Sequence, residues 1–276
     1  MKNVKLAICV LIIATIACKS PEKKQVSSPN WKYEKTISLD SIGPVGIALD
    51  SDENLYVSDA DNNRIFKINQ DGKVLESFEN FDRPMHISWG DQGLAIAEYG
   101  SDQIVVLHQG KKDTANSKFE FDAISGVDAY EGGYFAADFY NHRITCQTKD
   151  SIFTVGKQGK APGEFTYPTD IQIFNQKIYV ADAYNHRVQI FDLNGNHKST
   201  LAENEKINAA TGLFVTNQNI FITDFENSRI LVYNSMDSLS QILTEGLDKP
   251  ADVIVVGTKL FAVNYHGRSI AKYNFN

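Results

Sequence analysis

The 276-residue sequence has little cysteine, little proline and no excess of positive charge. Three cysteines cannot form a disulfide framework in a chain of this length, so core packing must hold the fold together. Seven prolines beside 18 glycines, 16 phenylalanines and 12 tyrosines exclude a collagen-like or disordered chain and favour a strand-rich one. A formal net charge of −7, without a basic run, excludes the electrostatic footprint of a nucleic-acid binder.

Long hydrophobic runs are also missing, with one exception at the start. The run from Leu6 to Ala17 follows Lys2 and Lys5 and is shorter than the roughly 20 residues of a membrane-spanning helix. A basic segment followed by a run of this length is typical of a secretory signal. The small residue before Cys18 resembles the lipobox of bacterial lipoproteins, which implies cleavage before Cys18 and a lipid on its thiol. Ile16 departs from the commonest lipobox residues, as does Thr15, so ordinary signal cleavage stays open.

These features predict three parts of the chain: a lipoprotein signal peptide over 1–17, the lipidated Cys18 with a flexible polar tether over 18–30, and a folded domain over 31–276. Cys9 leaves with the signal, so Cys146 remains as one unpaired thiol. Losing Lys2 and Lys5 takes the charge from −7 to −9, which opposes RNA as a partner. The predicted location is the bacterial cell envelope. Because Lys19 follows Cys18, the lipoprotein resemblance implies the outer membrane.

The rest of the sequence repeats itself. An acidic or amide residue follows an apolar strand six times, at intervals of 39, 40, 44, 42 and 40 residues. Those six residues are Asp59, Glu98, Asp138, Asp182, Asp224 and Asn264. Each unit reads as four short strands, and four strands per 40 residues is the period of a propeller blade.

The sixth unit ends at its third strand, Ser269 to Asn274, and has no fourth. The strand-like segment from Trp31 to Leu39 has no unit of its own. We therefore predict an all-β, six-bladed propeller whose ring is closed by the N-terminal strand, which completes the last blade and removes two open edges.

Four of the six units carry the same motif, an acidic residue followed by Asn three positions later and Arg two positions after that, as in VSDADNNRIFKINQDG and VADAYNHRVQIFDLNG. These units resemble NHL repeats across residues 44–276, and blades 2 and 6 depart from the pattern. The motif residues are Asp59, Asn62, Arg64, Asp138, Asn141, Arg143, Asp182, Asn185, Arg187, Asp224, Asn227 and Arg229.

A group that recurs from blade to blade, here in four of the six, is typical of structure rather than of catalysis. We expect Asp and Asn to bind backbone donors in the loop, and Arg to bridge to the next blade. His142 and His186 lie within two copies of the motif. Joint metal binding by this pair is disfavoured, since equivalent positions of a ring diverge.

The residues entering the innermost strands alternate between glycine and a polar residue: Gly46, His86, Gly126, Asp170, Gly212 and Asp252. The polar three come from blades 2, 4 and 6, so we expect them to approach the propeller axis from three sides around the channel mouth. An imidazole with two carboxylates suits a divalent cation or a ligand amine. The alternative is that each Asp caps its own turn and that His86 is solvated.

The loops on the same side of the disc carry aromatic residues, namely Tyr99, Phe139, Tyr140, Tyr184, Phe225 and Tyr265. Aromatic rings beside polar groups suit peptide or sugar surfaces. Packing between blades is the alternative for part of this set. This face is the predicted binding surface.

Six-bladed relatives by resemblance include the peptidyl amidoglycolate lyase, whose zinc is held by three His, each placed after Pro. The corresponding residues here are Val45, Met85, Ser125, Thr169, Thr211 and Ala251. None is His, so we expect no such activity. Resemblance to calcium-dependent lactonase or esterase propellers leaves Asp170 and Asp252 as candidate site residues.

The sequence thus favours a lipid-anchored binding or scaffold module without catalysis and without a required cofactor. Its partner would be an envelope protein, a peptide or a glycan, and the propeller itself is expected to be a monomer. A metal-dependent hydrolase or lactonase-like enzyme with its site at the channel is the alternative.

Overall fold

The computed structural model describes residues 30–276, which form 24 strands in six antiparallel sheets of four. Blade 1 contains β2 (Pro44–Leu49), β3 (Leu55–Asp59), β4 (Arg64–Ile68) and β5 (Val74–Phe78). Blade 2 contains β6 (Pro84–Gly90), β7 (Gly93–Glu98), β8 (Gln103–His108) and β9 (Lys111–Thr114). Blade 3 contains β10 (Ile124–Tyr130), β11 (Gly133–Asp138), β12 (Arg143–Gln147) and β13 (Ile152–Val155).

Blade 4 contains β14 (Pro168–Phe174), β15 (Lys177–Asp182), β16 (Arg187–Asp192) and β17 (His197–Leu201). Blade 5 contains β18 (Ala210–Val215), β19 (Asn219–Asp224), β20 (Arg229–Asn234) and β21 (Leu239–Leu243). Blade 6 contains β22 (Pro250–Val256), β23 (Lys259–Asn264), β24 (Ser269–Phe275) and β1 (Trp31–Ser38). Short 3-10 turns occupy Ala60–Asn62 and Ala183–Asn185.

The first strand in the chain is the outermost strand of the last blade, which confirms the predicted closure. β1 pairs antiparallel with β24, in a register that places Trp31 opposite Phe275. Gln241 of blade 5 donates from Nε2 to the Trp31 carbonyl at 2.7 Å and accepts the Trp31 N–H at 2.9 Å. The Trp31 ring is buried and meets Phe221 of blade 5 edge-on at 5.5 Å. The closing strand is therefore bonded to blade 6 and packed against blade 5.

The core lies between neighbouring blades. The apolar cluster between blades 6 and 1 joins Phe261 and Val263 to Leu55 and Val57, all fully buried. The inner strands thus pack one face against the preceding blade and the other against the following blade, so residues on both of their faces are buried. Cys146 is a buried free thiol in blade 3. The described residues contain no helix long and apolar enough to cross a membrane.

Two faces of the disc are used below. The loop face carries the connections between the second and third strands of each blade, including the 3-10 turns. The turn face carries the connections between first and second strands, and between third and fourth strands. The predicted signal peptide and most of the tether lie outside the described residues.

Candidate functional site

The repeated motif forms a bonded network inside each of its blades. In blade 4 the fully buried Asp182 accepts bonds from Asn185 Nδ2 at 2.9 Å, Arg187 Nε at 2.9 Å and the Thr166 N–H at 2.8 Å. Asp59, Asp138 and Asp224 hold equivalent Asn and Arg partners. The four motif carboxylates are therefore buried, each with its own arginine.

The motif arginine does not reach the next blade. Arg187 donates to the carbonyls of Lys160, Ala161 and Glu164, in the segment that leads into its own blade. The reason is the strand register, because Asp182 and Arg187 are direct partners across β15 and β16. The expectation of an inter-blade arginine bridge is therefore wrong.

The inter-blade contact comes from the residue just before that arginine. His142 and His186 each accept a backbone N–H of the following blade at Nδ1, from Tyr167 and from Ala209, both at 3.1 Å. In blade 1, Asn63 Oδ1 accepts the Arg83 N–H at 2.9 Å in the same way. These acceptor residues have positive φ, which turns their side chains toward the next blade. Both histidines are thus occupied by backbone, on separate blades.

The two divergent blades rebuild the network with other groups. In blade 2, Glu98 accepts from Ser101 Oγ at 2.6 Å and from Lys112 Nζ at 2.8 Å, so a lysine on the outermost strand replaces the missing arginine. In blade 6, the neutral Asn264 donates to Ser269 Oγ and to the Gly246 carbonyl. In blade 6, therefore, neutral residues stand in place of both the motif carboxylate and the motif arginine.

A second polar cluster lies on the axis and occurs once. His86 Nδ1 lies 3.3 Å from Asp252 Oδ2 and 3.8 Å from Asp170 Oδ1. All three side chains are buried, with His86 3% exposed. The structure therefore brings the polar residues of blades 2, 4 and 6 together. One side-chain nitrogen or oxygen of each residue lies within 4.8 Å of those of the other two. The alternative in which His86 is solvated is wrong.

Backbone irregularity and glycine explain how the axial residues meet. In every blade the register between first and second strands shifts at the axial position, for example between Pro168 and Asp170. Such bulges re-aim a side chain. A Cβ on Gly126 would lie 2.6 Å from the Thr169 carbonyl oxygen and 2.9 Å from the Asp170 Cα. Glycines in the odd blades therefore let the even blades approach closely enough for their side chains to meet.

The two axial carboxylates are fixed by backbone bonds. Asp170 accepts the Ile171 N–H of its own turn at 2.8 Å and the Leu213 N–H of blade 5 at 2.9 Å. Asp252 accepts its own Val253 N–H at 2.8 Å and the Ile47 N–H of blade 1 at 3.0 Å. Each Asp thus caps its own turn and ties two blades. His86 Nδ1 is different, because it is buried and has no hydrogen-bond partner in the part of the chain that the structure describes: the 3.3 Å approach to Asp252 lacks hydrogen-bond geometry.

The electrostatics of the cluster follow from burial and proximity. Burial by itself lowers the pKa of His86, but Asp170 and Asp252 outweigh it and raise that pKa to about 9. Burial raises the pKa of Asp170 to about 7, although His86 opposes the shift. Among the described residues, the cluster therefore combines two carboxylates with one imidazole.

A cavity of about 310 Å³ extends from Asp170 and Asp252 along the axis toward the ends of the innermost strands. The cavity wall is formed by the residue two positions after the axial residue in each innermost strand. This wall has two halves. Ser88, Asp128 and Gln172 make a polar half on blades 2 to 4. Phe214, Ile254 and Ala48 make an apolar half on blades 5, 6 and 1.

The axial residues therefore sit deeper than predicted. They lie at the inner end of a cavity that extends toward the turn face, and not around a mouth on the loop face. The reason is that the axial position is the third residue of each innermost strand, where neighbouring blades are in contact. Ser125 and Thr169, at positions where the resembled lyase has zinc-binding His, donate to carbonyls of the next blade instead.

The loop face carries a connected group of aromatic rings on blades 2 to 4, which we call the aromatic arc. Tyr99 lies 5.8 Å from Phe139, which stacks on Tyr167 at 4.7 Å. Tyr167 meets Tyr184 at 5.1 Å and Tyr140 at 5.9 Å. Tyr140 and Tyr184 are 49% and 58% exposed, whereas the other three are half-buried.

The remaining predicted aromatics lie apart from the arc. Phe225 and Tyr265 contact one another at 6.2 Å on blades 5 and 6, and both are half-buried against the core. Packing between blades therefore accounts for this pair.

Sequence reasoning missed Tyr167 and the polar half of the cavity. Tyr167 precedes Pro168 in an inter-blade linker rather than lying in the repeated loop. Ser88, Asp128 and Gln172 each stand two residues after an axial position. The alternation of a strand was the available signal, since side chains at i and i+2 share a face.

Comparisons with known proteins agree with this architecture. Residues 42–68 and 165–191 match the NHL repeat family. The chain therefore carries NHL repeats on a six-bladed propeller. No curated protein sequence gives a significant match.

Several solved propellers share the fold at low identity. Virginiamycin B lyase from Staphylococcus aureus is 15% identical with a TM-score of 0.65, covering 89% of this chain and 88% of the lyase. A gluconolactonase from Xanthomonas campestris is 14% identical with a TM-score of 0.70, covering 87% and 89%. The WD40 propeller domain of Doa1 is 11% identical with a TM-score of 0.64, covering 83% and 78%. These similarities define the fold, and they include both enzymes and a WD40 propeller.

Proposed function

We propose that this protein is a lipid-anchored binding module of the bacterial cell envelope, which presents the loop face of its propeller to a peptide, protein or glycan partner. The observation that carries the proposal is the aromatic arc, whose outer rings Tyr140 and Tyr184 are exposed while inner rings support them. Rigid aromatic side chains give contact area at little entropic cost and dominate many binding surfaces.

The surface beside the arc supports the same proposal. A cleft of about 410 Å³ adjoins Tyr184 and is lined by Lys160, Lys206, Glu203 and His186. The cleft therefore offers charges of both signs beside an exposed ring, which suits a polar partner with an apolar patch.

The test is recovery of partners by the full-length protein from detergent-solubilised envelope, with a glycan array in parallel. The double variant Tyr140→Ala/Tyr184→Ala should reduce binding at least tenfold. Met236→Ala is the matched control, because Met236 is 79% exposed on a turn-face connection. Equal binding by the double variant and the wild type would contradict the proposal.

The anchor is tested separately. Mass analysis of the mature protein should find a diacylated residue 18, and Cys18→Ser should release the protein from the membrane fraction. An unmodified Cys18 in membrane-bound protein would overturn this part.

A second candidate function is a metal-dependent hydrolase or lactonase-like enzyme. The observation that favours it is the axial cavity, which is lined at its inner end by Asp170 and Asp252, the two carboxylates that lie beside the buried His86. A screen of lactones and esters tests this candidate. Turnover that survives in both Asp170→Asn and Asp252→Asn would place any activity elsewhere.

A further inference from the structure

We infer that the axial cluster is a binding site for one divalent transition-metal ion, held by His86, Asp170 and Asp252. The cluster lies inside the propeller, at the inner end of a cavity that extends toward the turn face, whereas the aromatic arc lies on the loop face. The inference does not rest on the partner proposed above. Three observations carry the inference: a buried nitrogen without a partner among the described residues, two carboxylates that share one imidazole, and the spacing of the ligand atoms.

The first observation is the state of His86. Its Nδ1 is buried without a hydrogen-bond partner, and its side chain lies between the two carboxylates, 3.3 and 3.8 Å from their oxygens. A buried polar atom without a partner costs free energy comparable to a lost hydrogen bond. A metal ion bound to this nitrogen would satisfy it.

The second observation is the balance of charge. Each motif carboxylate, such as Asp182, has an arginine within 2.9 Å or less. Asp170 and Asp252 share a single imidazole instead. A divalent cation beside a neutral imidazole would bring the buried cluster to zero net charge with both carboxylates ionised.

The third observation is geometric. Tetrahedral ligands about 2.0–2.1 Å from zinc lie roughly 3.3 Å from each other, close to the 3.3 and 3.8 Å measured from His86 Nδ1. The carboxylates are held in place by backbone N–H groups, as ligands in metal sites are held by their outer contacts. Because Asp170 and Asp252 also line the cavity, a remaining coordination position can face it.

The composition of the site selects the kind of ion. Ca²⁺ takes six to eight oxygen ligands, more than this cluster supplies. Imidazole suits zinc and other late transition metals. We therefore expect Zn²⁺ or Co²⁺ to bind and Ca²⁺ to bind far more weakly.

The experiment is titration of the metal-free full-length protein with Zn²⁺ or Ca²⁺ by calorimetry, and with Co²⁺ by visible absorption. Wild type should bind one equivalent of Zn²⁺, and Co²⁺ should give absorption bands of a low-coordinate site. His86→Gln and Asp252→Asn should each weaken Zn²⁺ binding at least tenfold. Zn²⁺ should raise the melting temperature of the wild type and not that of His86→Gln.

The control is His266→Gln, because His266 and Asp248 form an exposed pair 2.8 Å apart that resembles one arm of the site. This variant should bind Zn²⁺ like the wild type. Wild type that takes up no Zn²⁺ would overturn the inference. So would uptake that His266→Gln abolishes, or uptake that folded His86→Gln retains.

Discussion

The motif network near the loop face and the axial cluster both bury carboxylates, but they satisfy them differently. In the motif network, Asp182 has an arginine, an asparagine and a backbone donor. In the axial cluster, Asp170 has two backbone donors and a share of one histidine. A carboxylate with its own cation is complete within the fold, whereas one without is free to bind something else.

Repetition separates the two regions as well. Four blades carry the full motif, blade 2 rebuilds it with Lys112, and blade 6 replaces it with neutral groups. The axial cluster uses three blades once each. Repeated residues thus serve each blade, while residues that occur once serve the molecule as a whole.

The largest expected effect is at the motif network. Asp182→Ala should lower the free energy of unfolding by about 3–5 kcal/mol, because the buried Arg187 loses the carboxylate with which it pairs. Chemical denaturation measures the change. Glu226→Ala removes an exposed ion pair with Lys249 and should cost less than about 1 kcal/mol. Similar losses in the two variants would erase the distinction.

Gly126→Ala should cost about 1–3 kcal/mol, since its methyl group would overlap the backbone of blade 4 beside Asp170. Gly43→Ala is the control, because its Cβ would be 3.1 Å from a movable Asp61 oxygen. Thermal unfolding compares the two variants. A harmless Gly126→Ala would show that the alternation of glycine does not create the axial cluster.

The third prediction concerns Asp128, a carboxylate that lines the axial cavity. Burial raises its pKa to about 6, although bonds from Ser88 and the Ile173 N–H oppose the shift. The native state therefore holds more protons than the unfolded state between about pH 4 and 6, and stability falls as the pH rises through that interval. Asp128→Asn should remove this fall, which is worth on the order of 3 kcal/mol across the interval. Denaturation curves at pH 4, 5 and 7 should show that the free energy of unfolding falls with pH more steeply in the wild type than in Asp128→Asn. The same pH dependence in both proteins would refute this prediction.

The smallest effect is expected at an inter-blade contact. His142→Ala should cost about 1 kcal/mol, because the Tyr167 N–H loses its acceptor. His142→Asn should restore most of the loss, since Asn63 accepts an equivalent N–H in blade 1 at a similar positive φ. Thermal denaturation of both variants checks the order, and equal losses would argue against the contact.

Much of this architecture could be read from the sequence. The 40-residue period defined six blades, and the missing fourth strand of the last unit required Trp31 and its neighbours to close the ring. Both inferences depend on local patterns, namely strand alternation and turn residues, which act over a few residues. The resemblance of Asp182, Asn185 and Arg187 to NHL repeats has the same local origin.

The direction in which side chains point was harder to predict from the sequence. Arg187 was expected to reach the next blade, yet strand register pairs it with Asp182 of its own blade. The predicted set of aromatic residues also omitted Tyr167. This linker residue contacts Phe139 only because the two blades lie side by side in the folded ring.

The sequence by itself determined the number of blades, the closing strand and the three axial residues as candidates, because each follows from spacing along the chain. Only the tertiary structure decided that those residues are buried at the inner end of a cavity directed away from the aromatic arc. It also decided that His86 Nδ1 has no hydrogen-bond partner among residues 30–276. The reason is that contacts across the axis join residues as far apart as His86 and Asp252, whose separation depends on closure of the whole ring.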